Sequence, residues 1–201
     1  MLKRSFDIFF SFLGLIPLFP LMVVVGLLIK LDSAGSVIYK SSRVGRNGRL
    51  FEMYKFRTMV MDADCHGPLV TAGDDWRMTR IGRILRRTKL DELPTLWNVL
   101  KGDMSFVGPR PENPKSAELY SEEQRRIWTL RPGITSLATV KYRNEESILA
   151  GAKNLDARYF EIMQDKLTLE LEYVDRRSFY MDLAILLRTL LAIFIAKAPN
   201  A

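Results

Sequence analysis

The sequence predicts an α+β fold that is mostly helical, with an N-terminal re-entrant membrane helix, a small β-hairpin and interfacial amphipathic helices. Three observations favour this fold, beginning with a charge-free apolar run over Ile8–Ile29. An Asn-Gly pair, which is a strong turn signal, separates two short apolar runs further along. Beyond them, apolar residues recur at helical spacing. We therefore expect an anchor over residues 1–30 and a second domain over residues 31–201.

The apolar run is long enough to cross a bilayer as a helix, which takes ~20 residues. Pro17 and Pro20 lie near its centre, where each removes a backbone donor and clashes with the preceding turn. Lys3 and Arg4 precede the run and Lys30 follows it, and basic residues tend to stay on the cytoplasmic side. If both ends stay there, the segment must enter the membrane and return, which predicts a bent, re-entrant anchor.

Three other interpretations of this segment stay open. A straight span with proline kinks is the main rival, because kinked spans are tolerated in lipid. A cleaved signal peptide would have a shorter apolar region, and residues 32–35 supply only a weak cleavage site. A buried helical hairpin of a soluble protein is the third.

The amino-acid composition narrows the classes of partner and of catalytic chemistry that this chain can have. Thirty Lys and Arg residues against 23 Asp and Glu give a net charge of +7, which attracts anionic lipid, phosphate or nucleic acid. The aromatic residues form no stacking platform, so we expect anionic phospholipid and no nucleic acid as a partner. Cys65 and His66 are single residues of their types, which excludes an intrachain disulfide and a Cys/His zinc cage. Because a Ser or Cys triad would depend on His66 in a loop, catalysis is expected to use carboxylates.

The other elements follow along the chain. Val37–Tyr39 and Leu50–Tyr54 are predicted to pair as a hairpin, and residues 62–75 to form an exposed loop. Trp76–Leu90 is typical of a basic amphipathic helix, on a membrane or in solvent. Further predicted elements are helices over 90–100, 114–128, 159–174 and 179–195, the last interfacial or in the core, and a strand over 137–140. The helix over 90–100 would end at Gly102 and start with a Thr88-Asp91 capping box or with Asp91 as the cap.

Two adjacent carboxylates, Asp91 and Glu92, stand at that predicted helix start, where the helix dipole favours their ionised forms. Neighbouring side chains on a helix point about 100° apart, so one carboxylate can attack while the other holds a metal. A carboxylate can attack phosphorus, and two carboxylates with substrate phosphates suit Mg²⁺. The alternative is that the pair only caps the helix.

An arginine between two prolines, Arg110 in Val107-Gly108-Pro109-Arg110-Pro111, lies downstream of the carboxylates. The prolines restrict the backbone around it, which leaves its planar guanidinium pre-organised to bind phosphate. Arg131 and Arg143 add cations near turns. Acids for a nucleophile and a metal, with several placed arginines, indicate a phosphoryl-transfer site.

The run from Asp91 to Pro111 (DELPTLWNVLKGDMSFVGPRP) closely resembles the signature of bacterial monotopic phosphoglycosyl transferases. These sugar transferases start glycan assembly on polyprenyl phosphate. The segments at 55–59 (KFRTM), 131–135 (RPGIT) and 143–144 (RN) match the family too, as do Lys3-Arg4 and Phe6-Asp7 before the anchor. The resemblance covers nearly the whole chain.

The resemblance implies that a UDP-sugar and polyprenyl phosphate are the substrates and that Mg²⁺ is the cofactor. Asp91 would attack the β-phosphate and expel UMP, and the phosphosugar would then pass to the lipid phosphate. Glu92 would bind Mg²⁺ together with Asp91. The residues implied to bind substrate and its phosphates are Lys55, Arg57, Arg110, Arg131 and Arg143.

The resemblance also implies a place in the cell. The catalytic domain, residues 31–201, would lie on the cytoplasmic face of the bacterial inner membrane, in a short form without additional transmembrane helices. The oligomeric state stays open between a monomer and a homodimer. The rival from another class is a catalytically idle membrane scaffold of a glycan assembly complex.

Three departures from the family pattern bear on the sugar and the bend. Phe19-Pro20 replaces a usual Ser-Pro, so the bend would depend on prolines alone. Lys141 and Tyr142 bring bulk and charge close to Arg143, and Glu170 stands where an aspartate is common.

Overall fold

A computed structural model of the chain describes residues 2–63, 75–150 and 154–195. Most of the predicted 62–75 loop, including Cys65 and His66, lies outside the described residues. The helices are α1 (Leu2–Asp32), α2 (Arg80–Thr88), α3 (Thr95–Lys101), α4 (Pro114–Ala117), α5 (Leu137–Lys141), α6 (Glu145–Ala150), α7 (Leu155–Arg176) and α8 (Phe179–Ile195). The strands are β1 (Ile38–Val44), β2 (Leu50–Phe56), β3 (Ser105–Val107) and β4 (Gly133–Thr135). The predicted class, mostly helical with a small β component, is confirmed.

The first element is one continuous helix, α1, that includes both Pro17 and Pro20. Within the described residues it is the one helix long and apolar enough to cross a membrane. Only 11% of its most apolar 18-residue window is buried, so most of its apolar surface has no protein partner. An exposed apolar surface of this extent indicates membrane association. The predicted long apolar N-terminal helix is confirmed, and its re-entrant path stays a prediction.

The N-terminal end of α1 is bonded to the rest of the protein. Lys3 Nζ donates to a carboxylate oxygen of Asp182 at 2.7 Å and to the carbonyl of Val107 at 2.8 Å. Arg4 donates to two carbonyls in the last turn of α3, at 2.6 and 2.8 Å. Basic groups suit that position because the C-terminal end of a helix carries partial negative charge.

The C-terminal end of α1 is bonded to the same body. The guanidinium of Arg57, which follows β2, donates to the carbonyls of Ser33 and Ala34 at 2.8 and 2.6 Å. The Asp32 carboxylate accepts from the backbone N–H of Ile81 at 3.0 Å, which ties this end to α2. Apolar side chains also pack together at this contact, in a small cluster of Val25, Ile29, Phe56 and Leu85.

The predicted hairpin is confirmed. Strands β1 and β2 pair antiparallel, from Ile38 opposite Phe56 to Val44 opposite Leu50. The turn uses left-handed residues, with φ of 58° at Asn47 and 73° at Gly48. Asn and Gly are the residues that adopt this conformation most readily, which is why the pair predicts the turn.

The predicted boundaries between residues 76 and 102 are partly wrong. Helix α2 starts only at Arg80, because Thr79 caps it by accepting from Gly82 N. The Thr88 hydroxyl donates back to carbonyls of α2 instead of capping a new helix, and Lys89 adopts the left-handed conformation with φ of 59°. Helix α3 then starts at Thr95, and Gly102 ends it with φ of 99°, as predicted.

Two further predictions fail between residues 114 and 141. The helix predicted over 114–128 is split into α4 and a 3₁₀ segment, Gln124–Thr129, because Ser121 and Gln124 exchange side chain-to-backbone hydrogen bonds between them. The strand predicted over 137–140 is helix α5, because the Ser136 hydroxyl caps it by accepting from Thr139 N at 3.0 Å. The helices predicted over 159–174 and 179–195 are confirmed as α7 and α8.

Candidate active site

The two adjacent carboxylates lie in a short turn, not at an α-helix start as predicted. Asp91 and Glu92 belong to the 3₁₀ turn Leu90–Glu92, which follows the left-handed residue Lys89. The Thr95 hydroxyl fixes the turn from the side of α3 by donating to the Glu92 carbonyl at 2.5 Å. Consecutive side chains of a 3₁₀ turn point about 120° apart. The two carboxyl groups therefore face different spaces.

Asp91 and Glu92 line two separate cavities. The Asp91 cavity has a volume of about 640 Å³ and is also lined by Arg43, Lys55 and Arg57. The Glu92 cavity has a volume of about 460 Å³ and is also lined by Arg110, Arg143, Glu170 and the anchor residue Leu18. Both cavities thus combine a carboxylate with cationic side chains, which suits the binding of phosphate esters.

A partly buried ion pair connects the two cavities. Lys55 Nζ donates to Glu92 Oε1 at 2.7 Å, and Arg110 Nη2 lies 3.5 Å from the same oxygen. Burial alone would raise the pKa of Glu92, but the charges of Lys55 and Arg110 outweigh it and lower that pKa to about 2. Glu92 is therefore ionised at any physiological pH and organises both cations.

The pKa of Asp91 is shifted in the opposite direction to that of Glu92. Its residue is 7% exposed, and its Oδ1 atom is buried without a hydrogen-bond partner among the described residues. Burial raises the pKa of Asp91, and the charge of Lys55 opposes that rise. Buried carboxylate oxygens normally have partners. An unpartnered oxygen beside a cation is an atom available to react or to bind a metal.

Two glycines position Arg110. Strands β3 and β4 pair in parallel, and Gly108 N donates to Thr135 O at 3.1 Å while Gly133 N donates to Pro109 O at 2.9 Å. The backbones approach so closely that a Cβ on Gly133 would lie 2.2 Å from Gly108 N. This contact fixes the chain immediately before Arg110. The role of these glycines was not predicted from the sequence.

Arg143, which the resemblance implies as a phosphate ligand, lies in the wall of the Glu92 cavity. Its Nη1 atom is buried and has no hydrogen-bond partner among the described residues. A guanidinium nitrogen in this state is a donor that a phosphate oxygen can satisfy. Arg110 and Arg143 therefore share one cavity with Glu92.

Two other predicted phosphate-binding arginines are held differently. Arg57 lines the Asp91 cavity, but its two terminal nitrogens already bind the carbonyls at the end of α1. Arg131 lies in neither cavity: its Nε donates to the Gly102 carbonyl at 2.7 Å, and the residue lines a third cavity near the start of α1. The structure therefore does not bring Arg131 together with Asp91 and Glu92.

Glu170 of α7 is a titratable residue of the Glu92 cavity that the sequence marked only as a departure from the family pattern. It is 4% exposed, its Oε1 accepts from the Ser136 hydroxyl at 2.6 Å, and its Oε2 is buried without a partner among the described residues. Burial outweighs the Ser136 hydrogen bond and raises the pKa of Glu170 to about 7.

We expect Glu170→Gln to stabilise the protein above neutral pH. A carboxyl group with a raised pKa binds its proton more tightly in the folded state, so its contribution to stability is lost as pH rises through about 7. The variant should therefore unfold with a free energy higher by up to about 3 kcal/mol at about pH 8, and with little difference at about pH 5. Thermal melts of the detergent-solubilised chain at both pH values measure this.

The matched control is Glu172→Gln, on an exposed part of the same helix. It removes a surface ion pair with Arg176 and should shift the melt little at either pH. Equal effects of Glu170→Gln at both pH values would contradict the expectation.

A comparison with known families identifies the class of this protein. The family described as bacterial sugar transferase matches residues 1–196, and the chain belongs to it. It is therefore a phosphoglycosyl transferase enzyme, and the family membership predicted from the sequence is confirmed.

Individual relatives agree with this class. The chain is 41% identical over 198 residues to exopolysaccharide production protein PSS of Rhizobium leguminosarum bv. phaseoli, covering 95% of this chain and 94% of that protein. It is 38% identical over 193 residues to the UDP-glucose:undecaprenyl-phosphate glucose-1-phosphate transferase of Caulobacter vibrioides, covering 93% and 67%. It is 37% identical over 195 residues to the undecaprenyl-phosphate glucose phosphotransferase of Komagataeibacter xylinus, covering 94% of this chain but only 35% of that protein.

Proposed function

We propose that this enzyme transfers a sugar-1-phosphate from a UDP-sugar to polyprenyl phosphate, releasing UMP, as the first membrane step of bacterial glycan assembly. The observation that carries the proposal is the composition of the Glu92 cavity, where Arg110 and Arg143 lie beside Leu18 of the apolar anchor. Such a wall suits an acceptor with a phosphate head and an apolar tail. The names of the relatives, which include undecaprenyl-phosphate sugar phosphotransferases, support the same chemistry for those proteins.

The reaction proceeds in two displacements. A carboxylate oxygen of Asp91 attacks the β-phosphorus of the UDP-sugar, a P–O bond forms, and the bond to the bridging oxygen breaks, which releases UMP. A phosphate oxygen of the polyprenyl phosphate then attacks the same phosphorus and expels the Asp91 carboxylate. The unpartnered Oδ1 of Asp91 supports its role as nucleophile.

The cations act on the phosphates. Lys55 holds Glu92 at 2.7 Å and opposes the effect of burial on Asp91, which favours the ionised nucleophile. Arg110 and Arg143 offer guanidinium donors to the diphosphate and to the acceptor phosphate. Arg57 holds the end of the anchor against the site.

The acidic residues fit Mg²⁺ bound jointly with substrate. The described residues contain no group of three or more His, Cys, Asp or Glu side chains that could hold a metal by themselves. Mg²⁺ is usually bound by one or two carboxylates together with substrate phosphates and waters. Asp91, with its unpartnered oxygen, would hold the ion together with substrate phosphates, whereas Glu92 faces the other cavity and is paired with Lys55. The charge of the ion would neutralise the diphosphate when bound.

UMP release tests the proposal. The full chain in detergent or nanodiscs is incubated with undecaprenyl phosphate, Mg²⁺ and a panel of UDP-sugars, and UMP is measured. We expect acceptor-dependent UMP release with at least one sugar, its loss on adding EDTA, and its return with excess Mg²⁺. Absence of UMP with every UDP-sugar, from protein that melts cooperatively, would instead favour the idle scaffold.

We also propose that α1 is re-entrant, with both ends on the cytoplasmic side of the inner membrane. Both ends of the helix are hydrogen-bonded to one body, through Lys3 at the start and Arg57 at the end. A straight span would place its ends on opposite sides of a hydrocarbon layer of about 30 Å.

Accessibility labelling tests this topology. In a Cys65→Ser background, Leu2→Cys and Leu31→Cys place thiols at exposed positions near the two ends of α1. Both should react with an impermeant maleimide only when the cytoplasmic side is open, as should the control Arg125→Cys on the surface of the body. Labelling of Leu2→Cys from the periplasm would overturn the re-entrant path.

A further inference from the structure

A third cavity, here called the Arg131 cavity, lies at the N-terminal end of α1. Its volume is about 380 Å³, and it is separate from the cavities of Asp91 and Glu92. Five basic side chains line it against two carboxylates: Lys3, Arg4, Arg46, Arg131 and Arg177 against Asp7 and Asp182. The cavity therefore carries an excess of positive charge.

Among the described residues, neither carboxylate forms a direct ion pair with an arginine of the cavity. Asp182 binds Lys3 at 2.7 Å and accepts a hydrogen bond from the Tyr173 hydroxyl. Asp7 accepts from the Ser105 hydroxyl and from the backbone N–H of Phe106, both at 3.1 Å. Each acid thus has its own partners among the described residues, and none of those partners is an arginine.

Two arginines of the cavity have terminal N–H groups that make no hydrogen bond within the described residues. Arg131 and Arg46 each use only Nε for a hydrogen bond within the described residues, to the carbonyls of Gly102 and Thr129. Neither arginine forms an ion pair with a carboxylate in the described part of the chain. Burial first, and then the nearby charges of Arg4 and Arg46, lower the pKa of the Arg131 guanidinium, while the charge of Asp7 opposes them.

The position of the cavity indicates the depth at which an anion would meet it. Lys3 and Arg4 immediately precede the apolar part of α1, and basic residues at that place lie at the level of lipid headgroups. Ser178 and Phe179, at the start of the apolar helix α8, also line the cavity. An anion there is within reach of both the membrane surface and the cytosol.

We propose that the Arg131 cavity is a second phosphate-binding site, distinct from the candidate active site, for the phosphate of an anionic phospholipid headgroup or of a soluble ester. Planar guanidinium groups bind phosphate oxygens with paired donors, and the three arginines 46, 131 and 177 converge on one space for this. The site requires no transfer chemistry, so it stands whether or not the proposed reaction is found.

Two charge-matched double variants test the site. Arg46→Gln/Arg177→Gln removes two cavity arginines and leaves in place the bond of Arg131 to Gly102 and the bonds of Arg4 to α3. The control, Arg49→Gln/Arg176→Gln, removes two exposed arginines that do not line the cavity but lie close to them in sequence. Both variants lower the net charge equally, so a general electrostatic effect on membrane binding would be the same in both.

Phospholipid binding is measured by native mass spectrometry of the full chain from mixed phosphatidylglycerol and phosphatidylcholine. We expect the wild type and the control to retain phosphatidylglycerol preferentially, and the cavity variant to retain about tenfold less. In a second arm, calorimetric titration with inorganic phosphate detects a soluble ligand. Binding there without a lipid preference would identify a soluble phosphate as the ligand.

A cavity variant that behaves like the control in both arms would overturn the site. Thermal melts establish that the variants are folded. If the cavity double variant melts early, the single variants Arg46→Gln and Arg177→Gln replace it, and each should lose part of the retention. Retention unchanged in both single variants would overturn the site equally.

Discussion

Asp91→Asn is expected to abolish the covalent phosphosugar adduct and to lower the transfer rate by about 10⁴-fold or more. An amide is a poor nucleophile toward phosphorus, so the first displacement cannot occur. The substitution keeps the size of the side chain and breaks no hydrogen bond at Oδ1, because that atom has no partner among the described residues. Intact-protein mass measurement with UDP-sugar and no acceptor, together with UMP release, measures both effects.

A thermal melt of Asp91→Asn distinguishes a loss of catalytic chemistry from a loss of folding. Burial raises the pKa of Asp91, so its contribution to stability is present at low pH and is lost as pH rises through the raised pKa. At neutral pH the neutral asparagine should therefore melt no lower than the wild type. The control Asp103→Asn removes a partly exposed pairing with Lys101 and should leave transfer near wild type.

The pH profile gives a further check on the same residue. The nucleophile must be ionised, and its raised pKa moves the acid-side loss of activity to a higher pH than an ordinary aspartate would give. Glu92, with a pKa of about 2, adds no titration in that range. Normal adduct formation by Asp91→Asn would remove Asp91 from the mechanism.

Gly133→Ala is expected to unfold the strand pair that carries Arg110. The added Cβ would lie 2.2 Å from Gly108 N, 2.5 Å from Gly108 O and 2.6 Å from Thr135 O. All three are backbone atoms, which cannot move aside as a flexible side chain can. We expect a loss of about 3 kcal/mol or more in the free energy of unfolding. Transfer activity should fall with it, because Arg110 follows this contact in the chain.

Gly14→Ala on α1 is the matched control for that variant. Its Cβ would meet Leu96 Cδ1 at 3.8 Å, which is an ordinary contact. A melting temperature at or above that of the wild type is expected, because alanine favours a helix over glycine. If Gly133→Ala melted together with Gly14→Ala, the close approach of β3 and β4 would not be essential.

The sequence predicts those parts of the fold whose signals are local. Asn47-Gly48 determines the hairpin, Gly102 ends α3, and apolar spacing locates α7 and α8. Each of these depends on a few neighbouring residues. The strand predicted at 137–140 fails because one capping hydroxyl, Ser136, outweighs the β propensity of the residues after it.

The site is predicted less completely, because its arrangement depends on distant contacts. The side chains of Asp91 and Glu92 point in different directions because the two residues are adjacent, and this was expected from the sequence. The separation of Arg131 from them depends on its bond to Gly102, and the raised pKa of Glu170 depends on the packing of α7. Neither contact has a signal within a short stretch of sequence.

Because both of its ends are hydrogen-bonded to the rest of the protein, α1 does more than attach the enzyme to a membrane. With Lys3 and Arg57 holding its two ends and Leu18 in the wall of the Glu92 cavity, α1 is a structural part of the enzyme. Deleting the helix would leave the Glu92 cavity open on one side and expose Phe56 and Leu85 to water. Truncation is therefore a poor route to a soluble, active fragment, and inhibitor screens need the intact chain in a lipid-like environment.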